Sequence, residues 1–151
     1  MPTRYRGPEE EVRALNAFIT LVRASEAVLG TLQRGLAGKR LTNSQFGVIE
    51  ALFHLGALCQ GELAAKLLRS GASTTSVVEG LEKRGLVVRQ RTEEDKRFVR
   101  VALTGKGRRL VEETFPAHAK AVTRLFGVLT EAEQEQLRRV CRKLGRAAAT
   151  A

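Results

Sequence analysis

The sequence predicts a mainly α-helical chain with one small β-hairpin near its middle. Apolar residues recur at helical spacing in a long stretch at each end of the chain. Two shorter helical patterns are separated by a turn that contains glycine. Two runs of alternating side-chain character then flank a strongly charged loop, which is typical of a hairpin. At 151 residues, the chain is expected to form a single module over residues 1–151.

The first long helix is predicted over residues 9–37. Pro8 and the three acids after it suit a first turn, because proline needs no donor there and acids favour the positive end of the helix dipole. Apolar residues then recur every seven positions, at Leu15, Val22, Leu29 and Leu36. A small domain cannot cover so long a stripe, so a second long helix is expected to pack on it. The basic arm before Pro8 is expected to fray.

The next helix is predicted over residues 41–56, with the hydroxyl of Thr42 as its cap. Its inward face is expected to carry the apolar side chains Phe46, Ile49, Leu52 and Phe53. Residues 56–61 then form a link to the following unit.

Residues 61–85 have the pattern of a helix-turn-helix. A short amphipathic helix over residues 61–68 is followed by a turn in which Gly71 supplies conformational freedom. Ser73 is expected to cap the second helix, which ends before Gly85. Two helices joined by a short turn of this kind are typical of the motif.

The second helix of this motif divides into two faces. Its apolar face comprises Thr74, Val77, Val78 and Leu81. Its polar face comprises Ser73, Thr75, Ser76, Glu79, Gly80 and Lys83. Short hydroxyl side chains are well suited to approach base edges and phosphates in a major groove. A solvated Ser/Thr-rich face without a ligand is the alternative.

Two strands and a charged loop come next. Residues 86–91 and 98–103 alternate with period two and are rich in β-branched residues. The loop between them, residues 92–97, is too charged to be buried. Such a loop projects as a wing, and its cations can reach the minor groove or the DNA backbone. Residues 41–104 are therefore predicted to form a winged helix-turn-helix that binds DNA.

Residues 108–147 are predicted to form further long helices. Thr104 can cap the first, and Pro116 is expected to bend or break it, because the ring removes a hydrogen bond and clashes one turn back. The sequence TEAE, which starts at Thr130, is a capping box for the last helix. With residues 9–37, these are expected to be dimerisation helices of a homodimer with two winged helices. The alternative is that the terminal helices cover only the chain's own core.

The net charge of +10 is concentrated in one part of the chain. Residues 66–109 contain twelve Lys or Arg and five acids, so +7 of the total lies in 44 residues. A basic field over a helix-turn-helix and wing indicates a polyanion, and double-stranded DNA is the partner expected. The sequence has no long uninterrupted apolar run and no apolar signal-peptide core. No membrane partner is therefore expected, and a cytoplasmic location is predicted.

Four motifs of this region are found together. They are LTNSQFGVIEAL at residues 41–52, LEKRGLV at 81–87, Asp95-x-Arg97 in the loop and VALTGKG at 101–107. In combination, and over roughly residues 12–144, the chain resembles the multiple antibiotic resistance regulator (MarR) family of winged-helix repressors. The resemblance implies a sequence-specific transcriptional regulator: a homodimeric repressor that a small phenolic or aromatic carboxylate effector releases from a palindromic operator. It also implies that the effector binds between the dimer helices and the winged helix.

Twelve residues are predicted to contact DNA. They are Arg69, Ser70, Ser73, Thr75, Ser76, Lys83, Arg84, Arg89, Arg91, Asp95, Lys96 and Arg97. The hydroxyl residues are expected to approach the major groove, and the cations at the ends of the second helix the phosphates. The resemblance implies that Arg97 reaches the minor groove and that Asp95 orients it or a neighbouring arginine. The alternatives are that Asp95 is an ordinary turn acid and that Arg89, Arg91 and Arg100 form a solvated strand face.

Two features of the second helix limit how it can read bases. Glu79 would repel phosphate unless it accepts a hydrogen bond from a cytosine amino group or pairs with an arginine. No arginine occurs between Ser73 and Gly80, where a bidentate guanine contact would be made. Sequence discrimination is therefore expected to depend on DNA shape.

Other functions have less support in the sequence. Cys59 precedes the helix-turn-helix, where oxidation of its sulfur would shift the DNA-binding helices. The alternative is that this free cysteine is a small buried apolar residue, as free cysteines commonly are. No cofactor and no metal site are predicted, because His54 and His118 are the only histidines and the cysteines do not cluster. No catalytic elbow or phosphate loop supports an enzyme. A winged helix that binds only proteins is the remaining alternative, and the basic concentration disfavours it.

Overall fold

The computed structural model describes residues 1–94 and 98–151. Its elements in chain order are α1 (Glu9–Ala37), α2 (Asn43–Leu55), β1 (Leu58–Cys59), α3 (Gln60–Lys66), α4 (Gly71–Lys83), β2 (Val87–Arg91), β3 (Val99–Leu103), α5 (Gly105–Phe126) and α6 (Glu131–Ala149). This architecture confirms the predicted mainly α-helical winged helix with long helices at both ends. Asp95, Lys96 and Arg97, for which DNA contacts are predicted, lie outside the described residues.

The core lies where α2, α3 and α4 meet the sheet and the first turns of α5. Its fully buried side chains include Phe46, Ile49, Leu52, Leu63, Val78, Leu81, Val101 and Val111. Burying one side chain of this size contributes roughly 1.5–3 kcal/mol. The inward face predicted for α2 is confirmed, although Phe53 is only half-buried.

The strands pair antiparallel in the order β1–β3–β2. β2 and β3 form the predicted hairpin, in register from Val87 opposite Leu103 to Arg91 opposite Val99. β1 has no counterpart in the sequence prediction, because a strand of two residues has no periodicity. Since β1 pairs with β3 and leads directly into α3, it ties the helix-turn-helix to the wing.

The turn between α3 and α4 differs from the prediction at two residues. Ser70, not Ser73, is the N-cap of α4, and its hydroxyl oxygen accepts a hydrogen bond from the N–H of Ser73 at 3.1 Å. Leu68, not Gly71, has the left-handed backbone conformation, with a φ of 51°. Serine is a good cap at either position, so local sequence alone does not choose between them.

α5 continues through Pro116, so of the predicted bend or break the structure excludes the break. Proline has no N–H, and the carbonyl of Glu112 therefore loses its helical partner. Pro116 and Glu112 are both exposed, so water can reach that carbonyl and the cost is smaller than in a buried helix.

The N-terminal arm is folded back on α1, so the expectation of fraying is wrong. The N–H of Thr3 donates to Oδ1 of Asn16 at 2.7 Å. The guanidinium of Arg23 donates to the carbonyl of Met1 at 3.0 Å. These partners lie one to several turns along α1, where the composition of the arm gives no sign of them.

Both terminal helices leave apolar side chains uncovered. Within α1 only Leu32 and Leu36 are buried, whereas Phe18 is 61% and Leu29 is 49% exposed. The apolar stripe of α6 is likewise exposed, at Leu137, Val140 and Leu144. The chain's own core therefore does not cover the whole apolar stripe of either helix. By length and composition alone, α1 would also be able to cross a membrane.

Candidate nucleic-acid interface

α4 presents its predicted polar face to solvent. Thr74, Val78 and Leu81 are buried against α2, α3 and β2. The exposed residues of the opposite face are Ser73, Ser76, Glu79 and Lys83. The hydroxyl groups of Ser73 and Ser76 have no hydrogen-bond partner within residues 1–94 and 98–151, so both are free to bind a ligand.

Two other hydroxyl groups of the predicted site have structural roles. Ser70 caps α4, as described above. Thr75 is half-buried, and its hydroxyl accepts a hydrogen bond from Nε2 of Gln60 at 3.0 Å and donates to the carbonyl of Gly71 at 2.9 Å. Gln60 and Thr75 thus join the first residue of α3 to α4.

The cations at the two ends of α4 have different surroundings. Arg69 is exposed before the first turn, and its guanidinium donates to Oγ of Ser44 at 2.7 Å. Lys83 is exposed in the last turn and forms no ion pair with any described residue. Both side chains therefore keep donors for phosphate oxygens.

Arg84 is engaged inside the chain. Its guanidinium donates to the carbonyl oxygens of Arg40 at 2.6 Å and of Lys39 at 3.2 Å. Its own carbonyl accepts a hydrogen bond from Nζ of Lys106 at 2.9 Å. These bonds fasten the end of α4 to the turn after α1 and to the start of α5. A phosphate bound by Arg84, as predicted, would compete with these carbonyl oxygens for the N–H groups of the guanidinium.

Arg89 of β2 lies against two acids of α4. Its NH2 atom is 3.8 Å from Oε1 of Glu79, and its Nε atom is 3.6 Å from Oε2 of Glu82. The Arg89 side chain is only 28% exposed, and its Nε forms no hydrogen bond with any described residue. Of the two possibilities raised for Glu79, pairing with an arginine is therefore the one observed.

The described part of the wing adds further exposed cations. Arg91 ends β2 opposite Val99, and Arg100 is exposed on β3. Phe98 is 57% exposed beside them. Arg91 is on the same face of the sheet as Arg89, which lies against α4, so it extends the hydroxyl-bearing surface of α4, whereas Arg100 pairs with Gln90 and lies on the opposite face. Such a surface has the chemistry to bind a phosphate backbone and adjacent base edges.

Comparison with known proteins identifies the family. A family model described as MarR family matches residues 41–99. The HTH-type transcriptional regulator YkoM of Bacillus subtilis (strain 168) is 33% identical over 138 residues, which cover 91% of this chain and 90% of the relative. The chain belongs to the MarR family. It is a winged-helix transcriptional regulator, as the sequence motifs predicted.

Two solved structures share the MarR-family fold with this chain. One concerns regulation of DNA binding of Bordetella bronchiseptica BpsR by 6-hydroxynicotinic acid. It has a TM-score of 0.75 and 30% identity, and the match covers 85% of this chain and 97% of that chain. The other is NadR in complex with 4-hydroxyphenylacetate, with a TM-score of 0.73, 27% identity, and coverage of 97% and 99%.

A cavity of about 140 Å³ lies between α1 and α5 of this MarR-family chain. Its lining includes Thr31, Gly35, Lys39, Glu113, Thr114 and His118. Thr114 is buried, and its Oγ1 has no hydrogen-bond partner among the described residues. A buried hydroxyl without a partner is costly, and Thr114 belongs to the lining of the cavity.

Polar side chains stand at the edge of the same cavity. Nζ of Lys39 is 3.2 Å from Oε2 of Glu113. The ring of His118 packs on Phe46 of the core, with centroids 4.5 Å apart. No sequence motif indicates this cavity, because its lining comes from two helices about 80 residues apart and includes small residues.

Cys59 is half-buried where β1 meets α3. Its N–H donates to Oε2 of Glu62 at 2.8 Å, so the residue sits at the first turn of the helix-turn-helix. Cys141 is half-buried on α6, and both thiols are free. In residues 1–94 and 98–151, no group of three or more His, Cys, Asp or Glu side chains is placed to hold a metal ion.

Proposed function

We propose that this MarR-family chain is a homodimeric, cytoplasmic repressor that binds a palindromic operator and is released from it by a small aromatic ligand. The exposed face of α4 is the observation that supports a DNA-binding surface. There the free hydroxyl groups of Ser73 and Ser76 lie between Arg69 and Lys83. Hydroxyl groups at the centre of a helix and cations at its ends suit a major groove flanked by phosphates.

The proposed contacts divide into two groups. Direct contacts are assigned to Arg69, Ser73, Ser76, Lys83, Arg91, Lys96 and Arg97, with Asp95 as a partner of the wing arginine. Indirect roles are assigned to Ser70, Thr75, Arg84 and Arg89, whose polar atoms hold α4 in place. Residues 41–104 are thereby proposed as the DNA-binding unit.

The proposed dimer is formed by residues 9–37 and 108–147. Its support is the exposed apolar surface of α1 and α6, which a second copy of the same helices would cover. Two readers on a two-fold axis would match half-sites roughly 34 Å apart. Membrane insertion of α1 is disfavoured by Arg23 and Glu26 near its middle, since a charge at that depth costs about 2.5–3.5 kcal/mol.

The proposed ligand site is the cavity between α1 and α5. Its volume of about 140 Å³ suits a single aromatic ring, since an apolar cavity of roughly 150 Å³ holds benzene. The hydroxyl of Thr114 would bond a phenol or carboxylate group, and Lys39 would exchange its carboxylate partner Glu113 for the negative charge of the ligand. The single-ring ligands of BpsR and NadR support this class of effector.

DNase footprinting on the DNA upstream of the chain's own reading frame tests the function. We expect two protected half-sites about one helical turn apart, and affinity that falls steeply with added salt. The double substitution S73A/S76A should weaken binding by about tenfold, whereas S25A on α1 should not. Absence of binding to any duplex at low salt, or affinity independent of salt, would favour a protein-binding module instead.

A separate measurement tests the ligand site. We expect 4-hydroxyphenylacetate or 6-hydroxynicotinic acid to release the wild-type protein from DNA. The variant T114V should keep its DNA affinity and lose most of this response, because valine has a similar shape without the hydroxyl. T123V, on the exposed part of α5, is the matched control. Equal responses of T114V and wild type would contradict the assignment.

No catalytic activity is proposed for this regulator. Oxidation of Cys59 is the second candidate means of release, since the residue starts the helix-turn-helix. It would appear as loss of DNA binding with peroxide in the wild type and in T114V, but not in C59S.

A further inference from the structure

The positive charge of the chain lies in two separate segments. Residues 66–109 carry +7, and residues 136–151 carry five Lys or Arg and no acid. The rest of the chain carries −2. The first segment is the helix-turn-helix and wing, whose charge the proposed function explains. The second comprises α6 after its first five residues and the two residues that follow it, and a helix used only for dimerisation does not need this charge.

The fold brings these two segments together. A Cβ atom at Gly145 of α6 would lie 2.7 Å from Cδ1 of Leu68. Leu68 is the residue with left-handed φ in the turn of the helix-turn-helix, two positions before the N-cap of α4. α6 therefore approaches the helix-turn-helix near the N-terminus of α4, which is the end that contacts base edges in this motif. Arg69 follows Leu68 directly.

Three cations of α6 lie to one side of this contact and are free to bind. At 3.6 residues per turn, Arg142 is about 60° and Arg146 about 100° round α6 from Gly145, and Lys143 is about 160° round, nearly opposite. Arg138 is engaged by Glu135, with NH2 2.7 Å from Oε1. Arg142, Lys143 and Arg146 are exposed and form no ion pair with any described residue. The apolar stripe of Leu137, Val140 and Leu144 is on another side, so a partner helix can cover it without covering these cations.

We propose that Arg142, Lys143 and Arg146 form a second contact surface for the phosphate backbone of duplex DNA, continuous with Arg69 at the turn of the helix-turn-helix. This inference rests on the proposed function, since it extends the DNA interface from the winged helix onto α6. The contact carries no base readout, because it involves only flexible cations and phosphates. Its contribution is to affinity and salt dependence.

The salt dependence of DNA binding tests the proposal. The triple variant R142Q/K143Q/R146Q keeps helix-favouring side chains and should fold as the wild type does. In a dimer that loses at least one phosphate contact per protomer, the slope of log K against log salt should fall by about two units. The matched control is R4Q/R6Q/R13Q, which makes the same charge change at the other end of the chain. Its slope should equal that of the wild type.

The outcomes separate this inference from the proposed function. If the wild type binds no duplex, the proposed function and the α6 contact surface are both overturned. If the wild type binds and the triple variant keeps the wild-type slope, the α6 surface is wrong and the winged-helix reader stands. A triple variant that changes the molecular mass of the oligomer in analytical ultracentrifugation and not the slope would overturn the proposal in favour of a role in dimerisation.

A cross-linking measurement tests the placement without DNA. On a C59S/C141S background, the variant L68C/G145C should form a disulfide within one chain under mild oxidation, because the two positions are in contact. The control L68C/Q136C, with the second cysteine more than two turns away on α6, should not. Failure of the first pair to link in a protein with wild-type helix content would overturn the placement of α6.

Discussion

At the residue scale, the guanidinium of Arg89 joins a strand of the wing to the helix that is proposed to read DNA. Its neighbours Glu79 and Glu82 lie on α4, and Glu79 is on the face with the free hydroxyl groups. The partly exposed acids limit the strength of such a pair to about 1 kcal/mol or less. Its larger effect is to neutralise an acid that would oppose phosphate.

We predict that R89Q weakens DNA binding by about fivefold, or about 1 kcal/mol, with an unchanged salt slope. Because Arg89 acts through Glu79, the double variant E79Q/R89Q should recover most of the affinity. Fluorescence anisotropy over a salt series measures both quantities. A fall of about 0.9 in the slope for R89Q, with no recovery in the double variant, would instead indicate a direct phosphate contact.

Ser70 and Ser73 have the opposite roles to those a single local pattern predicts, since Ser70 is the N-cap of α4 and the hydroxyl of Ser73 is free. The N–H of Ser73 donates to the hydroxyl of Ser70, so α4 begins one turn earlier than predicted and Ser73 stays free. The structural serine and the proposed contact serine are thus three positions apart.

We predict that S70A lowers the free energy of unfolding by about 1 kcal/mol, as expected for the loss of an N-cap. S73A should leave stability almost unchanged, since alanine favours the helix interior. Urea denaturation followed by circular dichroism distinguishes the two. The reverse order of effects would restore Ser73 as the cap.

At the element scale, α6 buries none of its residues within its own chain, so local interactions contribute to its stability. Its N-terminus is held by a capping box in which Glu133 accepts from the N–H and the hydroxyl of Thr130, at 2.8 and 3.0 Å. These bonds lower the pKa of Glu133 below its ordinary value of 4.5. The charged form of Glu133 therefore stabilises the start of α6.

We predict that the first turn of α6 unwinds on acidification before the winged helix does. A lowered folded pKa stabilises the helix above pH 4.5, and that contribution is lost as pH falls through the folded value. NMR of the Thr130 and Glu133 amides would report the transition. E133Q, which keeps an acceptor without the charge, should lack this transition, and an identical acid profile in both proteins would contradict the cause assigned here.

At the scale of the whole molecule, the helices at the two ends of the chain have exposed apolar surface, and the winged helix lies between them in sequence. Phe18 and Leu29 of α1 are among the exposed apolar residues, and Val128 before α6 is another. Exposed side chains of this size on a long helix indicate association with a further copy. The arrangement keeps the winged helices free to face DNA.

We predict that F18E converts the proposed dimer to monomer, because a buried charge without a partner is costly. Analytical ultracentrifugation should give half the mass of the wild type, and the midpoint of thermal unfolding should no longer depend on protein concentration. T20E, at an exposed position of the same helix, is the control. A wild-type mass for F18E would show that this part of α1 is not in the interface.

The sequence by itself determined the features that depend on neighbours within one or two turns. The caps at Thr42, Thr104 and Thr130, the two faces of α4 and the two strands of the hairpin all follow from local patterns, and the structure has each of them. Family motifs over residues 41–107 added the regulator class. These features need no knowledge of which distant segments meet.

Only the tertiary structure decided which polar atoms of the candidate site remain free. Arg84 was predicted to bind phosphate, but its guanidinium reaches a carbonyl 44 residues away, at Arg40. The unpaired hydroxyl of Thr114 and the close approach of Gly145 to Leu68 likewise depend on how segments remote in sequence pack together. The sequence does not show whether the donors of a cation or hydroxyl group are free or already used. That depends on which acceptors the folded chain brings within hydrogen-bond distance.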